Sequence, residues 1–368
     1  MKAGVQVYVY PEELDHVSPE ELVGQIVELG CDGVGVAVAY HRARRVFPRH
    51  RRVSVLTRSM LYLEPDRRRY GALVPEGRAS EPLLRFREAC DRAGLRFRAW
   101  VVALHNDELA AAHPDVAARL LDGSVAGHSL CPSAPETVEY VAALAADVAA
   151  QLGPETVDLE AAFYPAWEPS YTLTLALEPL SETARLLGSQ CFCASCGLLV
   201  GPAAQARAAA AAGPPFGGDG AASDDGIVVE LAAARAPGAR RLLEEVADGV
   251  HEQGSLLRVF VSGPPEQAAL QGVSRDSVAA ADAVSFGCGS LGDDELIARF
   301  AALRELAGRS GSVSTNWTPE RTAFAADAEA LAAEGAEGLS LYNLSLVPEA
   351  GLAAFRAAAS AFRAGVPA

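Results

Sequence analysis

The stretch Val157-Asp158-Leu159-Glu160-Ala161-Ala162-Phe163-Tyr164-Pro165 decides how this chain is read. It follows an Ala-rich amphipathic segment, Pro135 to Leu152, which opens with a proline at the first helical position. A helix running into a short apolar strand is half of a crossover unit. Side chains alternate along a strand, so Val157 and Leu159 face one side while Asp158 and Glu160 face the other. Two acids on one face are costly to bury without partners, which places the pair where water, a ligand or cationic groups reach it.

The same rhythm repeats on both sides of this stretch. Strands are predicted at 4–10, 33–40, 96–105, 156–162, 256–262, 283–287, 312–317 and 337–343. Helices are predicted from Ser18 to Cys31, Glu81 to Gly94, Pro135 to Leu152, Ile227 to Gln253, Asp293 to Ala307, Pro319 to Glu334 and Pro348 to Arg363. Eight strand–helix units with no obvious edge strand predict a closed (β/α)8 TIM barrel rather than an open doubly wound sheet, with Val, Ile and Leu filling its lower interior layers. The first strand–helix turn reads Tyr10-Pro11-Glu12-Glu13, not a Gly-rich fingerprint, which argues against a dinucleotide site; no organic cofactor is expected.

The reading is one domain, 1–368, with two long insertions on the face where barrels build active sites. Residues 41–80 follow strand two. Residues 163–226 follow strand four and end in an Ala/Gly/Pro-rich run, 201–226, whose later half reads as flexible.

Half of the 368 residues are hydrophobic and 21% are charged, as in a globular protein with a sizeable core. The net charge of −16 argues against nucleic-acid and anionic-membrane partners. No apolar run reaches membrane-spanning length, and the N-terminus lacks the features of a secretory signal. Seven scattered cysteines, an odd number in a large chain, point to the reducing cytoplasm.

Tyr10, His41, His105, Asn106, Asp158, Glu160, Asn316, Trp317, Tyr342 and Asn343 fall at the predicted C-terminal strand ends. Polar and aromatic groups gathered there suit a small ligand, and aromatic faces beside amides suit a sugar. Asp158 and Glu160 are the candidate catalytic pair, since carboxyls in differing environments divide acid and base duties; alternatively, Asp158 pairs with an arginine and Glu160 acts alone. Cys191, Cys193 and Cys196 form a C-x-C-x-x-C cluster that can wrap a structural zinc ion, with Cys131 or His128 as the available fourth ligand. Six arginines crowd residues 42–52 on the strand-two insertion, suited either to an anionic group or to surface acids.

Three patches resemble a group of bacterial glycosyl hydrolase-like proteins with a TIM barrel. They are Leu130-Cys131-Pro132-Ser133 with Glu136-Thr137-Val138-Glu139-Tyr140, the VDLEAAFYP strand, and the CFCASC cluster, together spanning about residues 130–196. In those proteins a strand-four acid precedes a proline by five residues, as Glu160 precedes Pro165, and the resemblance implies Glu160 as the catalytic acid or base. The chain departs from barrel glycosidases in having no acid at the predicted ends of strands five or seven; Glu266 and Glu320 lie a few residues beyond.

The resulting expectation is a glycoside hydrolase-like enzyme acting on a sugar or sugar-like small molecule, with Glu160 as acid or base and Asp158 assisting. The alternatives are a lyase or an isomerase/epimerase of a similar substrate, and a carbohydrate-binding barrel without catalysis.

Overall fold

The computed structural model describes residues 4–165, 180–214, 216, 225–290, 295–319 and 323–366. Eight parallel strands close into a barrel: β1 (Gly4–Val9), β2 (Gly33–Tyr40), β3 (Arg96–Val102), β4 (Thr156–Glu160), β5 (Leu256–Ser262), β6 (Ala283–Ser290), β7 (Ser312–Asn316) and β8 (Gly338–Tyr342). Each pairs with the next, and β1 pairs with both β2 (Gln6 opposite Gly33) and β8 (Gly4 opposite Gly338), which closes the ring. The expected TIM barrel is borne out.

Side-chain parity sorts the core. Val5, Val7, Val34, Val36, Val157, Leu159, Leu257, Val259, Leu339 and Leu341 belong to the apolar shell that strands share with the surrounding helices. The opposite parity, Gln6, Tyr8, Arg98, Trp100, Asp158, Arg258 and Ser340, fills the barrel with polar and aromatic groups, and all of these are buried. The expectation of Val, Ile and Leu inside the lower barrel is therefore corrected: those residues alternate with the interior ones and face the helices. Gly35 leaves room for this filling, because a Cβ there would collide with the Tyr8 ring.

The helices of the repeats stand close to their predicted places, as with Pro19–Glu28, Glu81–Ala93 and Pro135–Leu152. Ser18 opens the first with a capping box closed by Glu21. Residues after β2 form an antiparallel hairpin, Ala43–Phe47 with Arg52–Leu56, and a short strand, Met60–Leu61, that pairs antiparallel with β2. A third elaboration follows β3: the helix Asp107–Ala112 and the hairpin of Ala117–Arg119 with Val125–Leu130.

After β4 come the helices Glu182–Gly188, Ala194–Ala212 and Asp225–His251. The first half of the Ala/Gly/Pro-rich run is thus helical, as a high alanine content favours, with a break at Gly201 (φ 77°) before Pro202. Most of the later half that reads as flexible, residues 215 and 217–224, lies outside the described residues, as does Glu320.

Candidate active site and a four-cysteine centre

A cleft of about 940 Å³ opens at the C-terminal end of the barrel, between the strand ends and the 43–47 hairpin strand. Its volume suits a small molecule, for which sites run roughly 300–1,000 Å³. A side cavity of about 170 Å³ adjoins it, lined by His105, His128, Phe163, Tyr164 and Gln271 among others. Glu160 lines both.

Glu160 ends β4 with its carboxyl at the cleft floor, densely surrounded by protein but open along one edge. The Trp100 indole N–H donates to Glu160 Oε2 at 2.5 Å. Around Trp100 stand the rings of Tyr8, Tyr10, Tyr40 and Tyr342, with centroids 5.0–5.8 Å from it. This aromatic floor strips water from the carboxyl. Desolvation pushes its pKa up to about 7, with the Trp100 hydrogen bond acting weakly against it. Directly beyond, Ala161 sits at φ 51°, in the left-handed region that costs an L-residue roughly 1–2 kcal/mol. Strain of this kind gathers at functional sites. The bend is fixed from both sides: Glu160 O and Ala161 O accept from the amides of Ala103 and Leu104, and Tyr164 exchanges hydrogen bonds with Gln271.

Asp158 shares the interior face with Glu160, as strand parity requires, but lies deeper and is fully buried. Its Oδ1 accepts from Thr156 Oγ1 and Arg258 Nε, both at 2.9 Å. Its Oδ2 accepts from the Tyr8 hydroxyl at 2.8 Å and from Arg258 Nη2. The carboxylate is saturated and does not line the cleft. The arginine-paired alternative describes its surroundings.

Of the other predicted contacts, Tyr10, His41, Asn316 and Tyr342 line the cleft and His105 lines the side cavity. His41 stacks on His105 at 4.0 Å and donates through Nδ1 to Arg42 O, a neutral-imidazole arrangement; burial, then the neighbouring His105, lowers its pKa to about 3. His105 Nε2 lies 3.5 Å from Asp107 Oδ2.

Asn106, Trp317 and Asn343 are engaged elsewhere. Asn106 caps the helix Asp107–Ala112 by accepting from Leu109 N, Trp317 packs over Gly351, and Asn343 Oδ1 accepts from Ser345 N at 2.9 Å. Sequence reasoning missed Trp100, Tyr40 and Phe260, which line the cleft, whereas Arg45, also in the lining, belongs to the arginine run it singled out. Strand parity was the available signal for Trp100, which shares the interior face of β3 with Arg98.

Cys131, Cys191, Cys193 and Cys196 are buried with their sulfurs within 4.8 Å of one another. A tetrahedral metal–thiolate centre with bonds of about 2.3 Å has sulfurs roughly 3.8 Å apart, so the donors fit a metal ion that is closed on four sides. Cys131 is the fourth member. His128 is not; it lies against His105 at 5.4 Å in the side cavity. Hydrogen bonding from the other three thiols, Cys131 first, holds Cys193 below the ordinary thiol range, and Cys131 with Cys196 holds Cys191 there against an opposing effect of Cys193. Arg119 N donates to Cys191 Sγ, and the buried Arg235 donates to Cys191 O while its guanidinium lies over the Tyr164 ring. The centre therefore backs the segment that runs from Glu160 to Pro165.

No protein-family model and no curated protein sequence matches the chain. Solved structures do. The catalytic domain of a β-amylase from Paenibacillus polymyxa superposes with a TM-score of 0.60 at 12% identity, covering all of both chains. The glycoside hydrolase domain of PgaB (BpsB) from Bordetella bronchiseptica gives 0.57 at 13%, covering 96% of this chain and 98% of that one. Alpha-L-fucosidase isoenzyme 2 from Paenibacillus thiaminolyticus gives 0.56 at 14%, covering 98% of this chain, which spans about half (49%) of the fucosidase. The chain thus has the TIM-barrel fold of glycoside hydrolases; at such identities the likeness is one of fold.

Proposed function

We propose that the chain, residues 1–368 acting as one barrel domain, is a glycoside hydrolase-like enzyme that acts on a sugar or sugar-like molecule in the cleft, with Glu160 as its acid or base. The observation that carries this reading is Glu160 itself: a carboxyl at the end of β4, raised to about 7 by an aromatic floor and held by the Trp100 N–H. A carboxyl at that value is part protonated near neutrality, as a group that donates and then accepts a proton needs to be. Asp158 assists from below by neutralising Arg258 and keeping Tyr8 in place. Tyr10, His41, Asn316 and Tyr342 contact the substrate.

We also propose that the four cysteines hold zinc. Cys131, Cys191, Cys193 and Cys196 would hold the ion on four sides, and it would tie residue 131 to the 191–196 segment as a structural cross-link. All seven cysteines are unpaired and buried, which supports the cytoplasm as the compartment. Among the described residues no helix is long and apolar enough to cross a membrane.

Release of chromophore from a panel of aryl glycosides tests the reading. Wild-type turnover reduced roughly 10²–10⁴-fold in Glu160→Gln supports it. Equal rates in the two proteins refute it. One observation favours a second reading, a lyase or isomerase: among the described residues Glu160 is the only carboxylate lining the cleft, and His105, held by Asp107, shares its side cavity. Products from a non-glycosidic reaction of the same sugars would mark it, and binding without any turnover would mark a carbohydrate-binding barrel.

A further inference from the structure

The 43–47 hairpin strand and the residue before it bring three arginines, Arg42, Arg44 and Arg45, to the wall of the cleft that Glu160 floors. In a chain of net charge −16 this is a local reversal of sign. Their partners are unevenly distributed. Arg42 pairs with Asp107 at 3.0 Å and remains half exposed. Arg45 is 4% exposed, gives Nη1 to Glu12 at 2.5 Å, and has its guanidinium carbon 4.0 Å from the Tyr10 ring centroid and 4.5 Å from that of Tyr40. Its Nε and Nη2 are buried and make no hydrogen bond of ordinary geometry, while the Tyr62 hydroxyl, itself bonded to Glu12, interacts with the guanidinium. Arg44 is exposed and has no ion-pair or hydrogen-bond partner among the described residues.

A buried guanidinium with two unused donors is costly unless an acceptor arrives. Three guanidinium groups stand against the carboxylates of Glu12 and Asp107, and with Glu160 part ionised near neutrality the cleft keeps at most one positive charge in excess. The rigid fork of arginine matches a carboxylate, and the partly exposed rings of Phe260 and Tyr342 that line the cleft match the C–H face of a pyranose ring.

We infer that this wall is an anion subsite and that the sugar taken by the cleft is a uronic acid, its carboxylate received by Arg44 and Arg45. The inference rests on the reading of the cleft as a sugar site and adds the substrate class. A single excess charge favours the monoanionic carboxylate over a doubly charged phosphate ester.

The test is calorimetric titration of the full chain with methyl glucuronoside, galacturonoside and mannuronoside, each beside its neutral parent sugar, and with glucose 6-phosphate. Wild type is expected to bind one uronoside roughly tenfold or more tighter than its neutral parent, and salt is expected to erode that preference. Arg44→Gln, at an exposed position, is expected to lose most of the preference; Arg44→Lys is expected to keep part of it. Equal binding of acid and neutral sugars overturns the inference, as do an unchanged preference in Arg44→Gln, tighter binding of the phosphate ester, and no sugar binding at all.

Turnover of aryl glucosides and aryl glucuronides in the same preparations separates this inference from the hydrolytic reading. Uronoside preference without turnover refutes hydrolysis and leaves the subsite standing. Turnover without preference refutes the subsite alone.

Discussion

Replacing Glu160 with glutamine changes the stability of the protein in a way that depends on pH, and the structure gives the size. The introduced amide is isosteric with the protonated carboxyl and still accepts the Trp100 hydrogen bond, so the variant differs from wild type chiefly where Glu160 is ionised. The ordinary value of 4.5 applies when the chain is unfolded, and the folded value is about 7. The shift is upward, so folding favours the protonated form. The contribution of Glu160 to stability is intact below about 4.5 and is lost as the pH rises through about 7. At about 1.36 kcal/mol per unit, Glu160→Gln should therefore be more stable than wild type by about 0.2 kcal/mol at pH 4, about 2 at pH 6 and about 3 at pH 8.

Urea midpoints or thermal transitions measured on both proteins across this range read the difference directly. Groups common to both, such as the lowered His41, cancel. Two curves that run parallel from pH 4 to pH 8 would refute the desolvated carboxyl, and with it the reason for choosing Glu160. A rate limb centred near 7 that vanishes with the side chain would join the stability effect to the chemistry.

Trp100→Phe removes the one hydrogen bond that lowers the Glu160 pKa, so the corresponding limb of the pH–rate profile should move to higher pH; an unmoved limb would mean the indole is only packing. Asp158→Asn leaves Arg258 buried without its counter-charge and should cost roughly 3–5 kcal/mol in a denaturation experiment, whereas Asp158→Asn with Arg258→Met should recover much of that. A double variant as unstable as the single one would show that the ion pair is not what Asp158 supplies. Cys131→Ser should strip zinc from the purified protein, read by elemental analysis, and lower its stability by roughly 3 kcal/mol or more. Wild type isolated metal-free yet equally stable would rule the centre out.

Strand and helix positions were legible in the chain because each barrel strand carries its own period-two pattern next to a helix with its own cap, and both signals are local. Ser18 with Glu21, and Val157 with Leu159, reveal their elements without reference to anything distant. The carboxyls of β4 and the cysteine cluster were legible for the same reason. Spacing alone could place Asp158 and Glu160 on one face, but not at different depths.

What the sequence by itself determined is thus the barrel, its repeat boundaries, the acid at the end of β4 and three of the four thiols. What only the tertiary structure decided is every pairing across the ring: Arg258 on Asp158, Trp100 on Glu160, Cys131 with the CFCASC cysteines, and Arg45 over Tyr10 and Tyr40. Most of these partners lie far apart in the chain, for example 60 positions between Trp100 and Glu160 and 100 between Arg258 and Asp158. A local pattern reports which face a side chain takes on its own strand, whereas the closure of the barrel sets which neighbour meets it there. That meeting, through desolvation and charge, decides whether a carboxyl is a saturated structural ion or a group poised to move a proton.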